Sequence, residues 1–237
     1  MEVSQKSLLD SLLLPSWDGI GKGKRNGLIK RWRSSAAEIC NNIVLTDKIP
    51  TKIVKERNFI VHEPDDGRVK DIEANGVISY TDGSVLDNKT GCGVHTVKGN
   101  RVIYNGNFYL GNRSTAFQAE VTAIRKSAEI LLNSGYDNQS ITFYSDSQAS
   151  LAALNKLTVK SDTVEKCLNT LNTLGKKNKV YLRWVKAHVG IHGNETADFL
   201  AKRGSSLGDR PVNELLLPRV KQKNEIDPLC GTILFDA

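Results

Sequence analysis

The sequence predicts a mixed α/β fold, a sheet of parallel and antiparallel strands with helices on both faces. Three observations predict it. Strand-like segments come first as a run of three, at 77–82, 93–97 and 101–109. Helical and strand-like segments then alternate in the order α–β–α–α–β–α over 115–203. Hairpin-linked strands are antiparallel, whereas strands joined through helices return parallel and need cover on their faces. At Thr115 the apolar residues change from strand-like alternation to a spacing of three and four.

The elements follow in order. Leu8, Leu9, Leu12 and Leu13 suggest a short amphipathic helix that Pro15 ends. Between Ile20 and Arg33 lie six basic residues and no acid, and a second helix is expected over 28–44. Thr51 to Val61 reads as an extended segment after Pro50. Pro64-Asp65-Asp66-Gly67 is a turn signal, and 62–75 reads as a linker. From Gly76 the pattern sharpens. Val77 to Asp82 alternates as a strand, and Lys98-Gly99-Asn100 is a hairpin turn between two more. Phe117, Val121, Ile124, Ala128 and Leu131 mark one face of a helix over 115–133, which Ser134-Gly135 stops. A strand is expected over 141–145, helices over 147–157 and 163–174, and a strand over 180–185. A last helix is expected over 194–203, capped by Asn194 and stopped by Gly204. The chain therefore divides into an N-terminal extension 1–75, a folded domain 76–204 and a tail 205–237.

Composition removes several classes. The 237 residues contain no apolar run near the length of a membrane span. Asp10 and Ser11 interrupt the first leucine cluster, so no signal peptide is expected. An intracellular protein, nuclear or cytoplasmic, follows as the expectation. Cys40, Cys92, Cys167 and Cys230 form no CxxC pair, which removes a zinc ribbon and makes free thiols the expectation. No paired aspartates stand in a hydrophobic hairpin, so no polymerase motif is present. The net charge is +7, and segment 76–204 carries +6 of it. An anionic partner is expected, weakly.

Four acids break the apolar logic of that basic segment. Asp82 ends a strand, on the side of Ile78 and Tyr80. Glu120 lies on the apolar face of its helix, between Phe117 and Ile124. Asp146 follows a strand immediately, and Asp198 lies one turn before Ala201. None has an obvious basic partner beside it in sequence. Taken singly, each has an ordinary reading as a turn, a cap or a solvated side chain. Together they are a set of converging carboxylates, which is costly without a cation. Oxygen-only donors suit Mg²⁺, with Mn²⁺ as a substitute, and such sites suit phosphodiester chemistry on two ions. His188 lies in a glycine-containing loop ten residues before Asp198 and could shuttle a proton. Gly190 argues against a His188–His192 zinc pair on one helix. His62 and His95 have no motif around them.

Five blocks in this order carry a resemblance. Thr81-Asp82-Gly83-Ser84, Phe117-Gln118-Ala119-Glu120 and Tyr144-Ser145-Asp146-Ser147-Gln148 are followed by Trp184-Val185-x-x-His188. Gly193-Asn194-Glu195-x-Ala197-Asp198-x-Leu200-Ala201 completes the set. They resemble type 1 ribonuclease H, most nearly the ribonuclease H domain of insect-type non-LTR retrotransposon polyproteins. The resemblance covers about residues 76–204. It implies a five-stranded mixed sheet, a three-strand antiparallel meander plus two parallel strands, flanked by helices. It implies a metal site of Asp82, Glu120, Asp146 and Asp198 holding two Mg²⁺ ions, with His188 as the auxiliary residue of a flexible loop. The implied activity is endonucleolytic cleavage of the RNA strand of an RNA–DNA hybrid, leaving 3′-hydroxyl and 5′-phosphate ends. Ser84, Thr115, Ser147 and Gln148 stand beside the acids and are candidates to bind sugars and base edges, with capping as the ordinary alternative.

A reverse transcriptase domain or polyprotein is the partner this resemblance implies besides the hybrid; oligomeric state is left open. The chain departs from the retroelement pattern in the loop, where Lys186-Ala187 replaces the usual Pro-Gly before the histidine. The 42 residues from Asp146 to His188 leave no room for the extra basic helix of some cellular members. Two rival readings are a catalytically silent nucleic-acid-binding module and another nuclease of similar fold, such as an integrase-type transposase or a 3′–5′ exonuclease.

Overall fold

The computed structural model describes residues 47–64, 76–112 and 114–207. They all fall within one compact unit, Leu45–Lys221. The expected elements before residue 47, the Pro64–Gly67 turn and the tail beyond 207 lie outside the described residues.

Three long strands form the meander: β3 (Val77–Leu86), β4 (Lys89–Lys98) and β5 (Arg101–Gly111). They follow β1 (Lys48–Ile53) and β2 (Ile60–Val61). Then come α1 (Ala116–Asn133), β6 (Ser140–Ser145), α2 (Gln148–Asn155) and β7 (Thr158–Ser161). Last are α3 (Asp162–Gly175), β8 (Lys179–Trp184) and α4 (His192–Ser205). The main sheet has the order β2-β8-β6-β3-β4-β5. β3, β4 and β5 are antiparallel, and β3, β6, β8 and β2 are parallel. The mixed sheet flanked by helices is the fold class expected from the sequence. It is one strand wider than expected, because Ile60 and Val61 pair with Tyr181 and Leu182 on the β8 edge.

The two faces differ. On one, α1 and α3 bury the large apolar core: Val121, Ile124, Ala128 and Leu131 meet Ile141, Phe143, Leu168, Leu171 and Leu182. On the other, α4 packs through Ala197 on Tyr80, Tyr144 and Val185. Period-two alternation sorts the strands between these faces. Val77 goes to the first and Ile78 and Tyr80 to the second, and Asp82 continues the second series.

Several boundaries depart from expectation. β3 and β4 run on to a two-residue turn, where Asp87 and Asn88 both take positive φ (50° and 62°). That geometry matches the right-handed twist of a hairpin and needs residues tolerant of the left-handed region. Asp82 therefore does not end its strand. It stands just past Thr81, where the parallel ladder to Ser145 stops, while the antiparallel ladder continues to Leu86. α4 begins at His192, two residues early, and its cap is Ile191 with no side-chain bond, so Asn194 does not cap it.

β7 has no local signal, since it forms by pairing antiparallel with β1 across more than a hundred residues. The segment 47–64, read from sequence as part of an extension, is tied to the fold. Buried Asp47 accepts bonds from the Thr163 amide (2.9 Å), the Thr163 hydroxyl (2.6 Å) and the Ser161 hydroxyl (2.6 Å) at the start of α3. Phe59 joins the large core.

Candidate active site

The β3–β6 register sets two acids side by side. Tyr80 pairs with Tyr144 and Thr81 with Ser145, so Asp82, still inside β3, and Asp146, just past the end of β6, stand at the same level on neighbouring parallel strands. The Asp146 carbonyl accepts the Trp184 indole N–H at 3.0 Å, fixing the chain where it leaves β6. Glu120 arrives from α1. That helix can approach β3 closely because residue 83 is glycine: a Cβ there would lie 2.4 Å from the Glu120 nitrogen. Gly93, opposite Asp82 in β4, does the same for α4, where a Cβ would lie 2.2 Å from the Ala197 carbonyl. α4 carries Asp198 one residue further on.

Asp82, Glu120 and Asp146 each offer an oxygen within 4.8 Å of the others. Asp82 and Glu120 are buried, at 6% and 8% exposure. Burial, then Asp146 and Asp198, push the Asp82 carboxyl up to about 7, against Lys202 and the Gly83 amide. Burial and then Asp82 raise Glu120 well above the usual carboxylate range. Glu120 Oε2 is buried without a hydrogen-bond partner among the described residues. A buried carboxylate with an unsatisfied oxygen, near like charges, is expensive to keep ionised unless a cation completes it. The donors are all carboxylate oxygens, so the cluster fits a hard divalent ion.

Asp198 is close enough to act on Asp82 and Glu120, yet it is not one of the three converging acids. It does have a basic partner: Lys202, one helical turn on, donates to its carboxylate at 2.7 Å. This corrects the expectation that no acid had one. His188 sits exposed in the loop after β8 with a φ of 53°. That loop is tied back to α4, where Glu195 Oε1 accepts the Gly190 N–H at 3.1 Å.

Of the candidate substrate contacts, Thr115 is the N-cap of α1 in a reciprocal capping box with Gln118. Ser147 is the N-cap of α2, accepting from the Ser150 amide. Ser84 is half-buried in β3 opposite Gly91, and Gln148 is exposed in the first turn of α2. One residue went unassigned from the sequence. Asn194, 2% exposed, donates Nδ2 to Asp146 at 3.2 Å and keeps Oδ1 buried and unpartnered. The Gly193-Asn194-Glu195 block was the available signal; its middle residue read as a cap instead.

The sequence matches the RNase H family over residues 74–206, more than half of the chain. The chain belongs to the RNase H family. Its cluster of acids and this membership fit cleavage of RNA–DNA hybrids. Among solved structures, RNase H1 of the archaeon Halobacterium salinarum is similar at 24% identity and a TM-score of 0.45. It covers 56% of this chain and 98% of its own. The N-terminal RNase H domain of Rv2228c from Mycobacterium tuberculosis has 18% identity and a TM-score of 0.48, covering 56% and 96%. LC11-RNase H1, solved in complex with an RNA/DNA hybrid, has 19% identity and a TM-score of 0.47, covering 56% and 99%. No curated protein matches this chain. No helix among the described residues is long and apolar enough to cross a membrane.

Proposed function

We propose that this RNase H family member is a hybrid-specific endoribonuclease, cutting the RNA strand of RNA–DNA hybrids to leave 3′-hydroxyl and 5′-phosphate ends. The observation that carries the reading is the convergence of Asp82, Glu120 and Asp146 with one buried oxygen unsatisfied. Asp82, Glu120, Asp146 and Asp198 would hold Mg²⁺, two ions by analogy with the family pattern, with Mn²⁺ able to replace it. When bound, the metal supplies Lewis-acid stabilisation and lowers the pKa of bound water. The chain's own residues do the rest. Asn194 holds the Asp146 carboxylate in place. His188 exchanges a proton with the leaving 3′-oxygen from a loop that Glu195 restrains. Ser84, Ser147 and Gln148 read the sugars, and Thr115 orients the α1 entry that carries Glu120.

The finer reading is that the domain 76–204 derives from a non-LTR retrotransposon, with a reverse transcriptase domain as its natural partner. The five motif blocks and their spacing support it. The deciding experiment uses end-labelled hybrid in Mg²⁺ and in Mn²⁺, with single-stranded RNA, double-stranded RNA and double-stranded DNA as controls. Internal cuts in the hybrid's RNA alone are expected, and Asp82→Asn should lower the rate by about 10²–10³-fold or more. Folded protein that binds hybrid but cuts it in neither metal would replace this reading with a silent binding module.

A further inference from the structure

The segment 47–57 lies outside the stretch that matches the family, yet it is built into the same unit. β1 pairs with β7, and the Val54 amide donates to the Leu157 carbonyl at 2.9 Å. Arg57 Nη2 donates to the Lys156 carbonyl at 2.9 Å. Lys52 Nζ reaches both oxygens of Glu165 on α3, at 2.7 and 2.9 Å. These bonds fix a two-stranded annex against the start of α3.

The annex is basic in a particular way. Its neighbouring acids are already engaged: Glu165 by Lys52, Asp162 by Lys166 at 2.7 Å, and Asp47 by buried hydroxyl and amide donors. Glu56 at its edge accepts from Asn58. Lys55, Lys156 and Lys160 are exposed and form no ion pair among the described residues. Beside them, Ile53 and Leu157 are 73% and 72% exposed. Cations that outnumber the local acids, set beside exposed apolar side chains, complement phosphates flanking the sugar faces of a shallow groove.

Position relative to the acids gives the patch a substrate. α2 starts two residues after Asp146, runs for eight residues and ends at Lys156. At 1.5 Å per residue the helix spans about 12 Å. A nucleic-acid strand advances about 3.4 Å per phosphate, so the length of α2 corresponds to roughly four phosphates. We infer that the β1–β7 annex is a second contact for the sugar–phosphate backbone of the hybrid, with Lys55, Lys156 and Lys160 as its phosphate-binding side chains. This inference rests on the hybrid-cleaving reading and extends it to the β1 segment with Lys55, which lies before the matched residues 74–206, and to Lys156 and Lys160 within them.

The test uses the full chain carrying Lys55→Ser, Lys156→Ser and Lys160→Ser together. Hybrid binding is followed by fluorescence anisotropy without divalent metal, and cleavage by steady-state kinetics in Mg²⁺. For a hybrid of about 18 base pairs, Kd and KM should rise about five- to tenfold, and the salt slope should drop by roughly two to three. The kcat should stay within about twofold, because nothing at the acids changes. The triple arginine variant should keep wild-type values, and an unchanged melting temperature guards against misfolding. Unchanged Kd and salt slope would overturn the inference. If the wild-type chain cuts nothing, the hybrid-cleaving reading fails by itself. The anisotropy series still decides the annex.

Discussion

The acids on the β3–α1 side of the site and those on the α4 side have been treated differently. Asp82 and Glu120 are buried, contact no basic side chain among the described residues, and have carboxyls pushed upward. Asp146 and Asp198 each have a donor supplied by α4, an amide for one and an ammonium for the other. One side stores repulsion that a cation or a bound proton relieves. The other is already partly compensated, and its donors set where its carboxylates point. A site assembled this way gives up stability without metal in order to bind metal strongly, a trade common where function needs unfavourable charge.

The sharpest way to break this contrast is Glu120→Gln. Cleavage should fall by about 10²–10³-fold or more. Metal-free protein should nevertheless become more stable at pH 8, by at least about 3 °C in melting temperature. The sign follows from proton counting. Asp82 and Glu120 hold protons in the folded metal-free protein at pH values where the unfolded chain has released them. Stability must then decline as pH rises from the ordinary carboxylate range near 4 to the Asp82 value of about 7. Thermal melts from pH 4 to 8 without metal should show that fall, and added Mg²⁺ should recover most of it at pH 8. A wild-type melting curve that is flat over this range would remove the stored repulsion.

A smaller effect is expected from Asn194→Ala. Partners that orient metal-binding groups typically matter about 10–100-fold, and this change should lower kcat/KM by that order. Because the side chain positions Asp146 without touching substrate, the loss should appear in Mn²⁺ affinity measured calorimetrically without nucleic acid. Normal Mn²⁺ affinity with poor cleavage would instead assign Asn194 to the substrate.

The smallest effect belongs to Lys202→Met. Lys202 is largely exposed, so screening limits its reach. Its loss frees Asp198 and removes one positive charge near the cluster, and Mn²⁺ should bind about threefold more tightly at low salt. Weaker binding would mean that the lysine orders Asp198 for the metal instead of holding it back.

The contrast also marks what the sequence could and could not reveal. Three acids were visible because a carboxylate on an apolar helix face, or directly after a buried strand, violates a local pattern. The sheet between them was visible because strand alternation sorts Tyr80 and Asp82 to one side. Lys202 is equally legible, since residues four apart on a helix are neighbours although they are not adjacent in sequence. Asn194 was not legible as a partner of Asp146: asparagine at a helix start has a common local explanation, and its real bond spans 48 residues. Gly83 and Gly93 look like turn residues until the helices that crowd them are placed. β7 has four residues and no periodic signal, and only its partner β1 makes it a strand.

That long-range pairing has a consequence for how the chain is made. Asp47 and Thr163 are 116 residues apart, and Asn58 bonds to Asn172 across 114. At about 5–20 residues per second, a ribosome takes roughly 6–23 s to deliver the partner after the first residue has emerged. During that interval Ile53, Phe59 and Ile60 have neither β7 nor β8 to pair with, and the unpaired backbone is open to wrong associations. Slower elongation over residues 60–160 should lengthen the exposure and lower the yield of soluble protein. A synonymous recoding that speeds the same stretch should raise it.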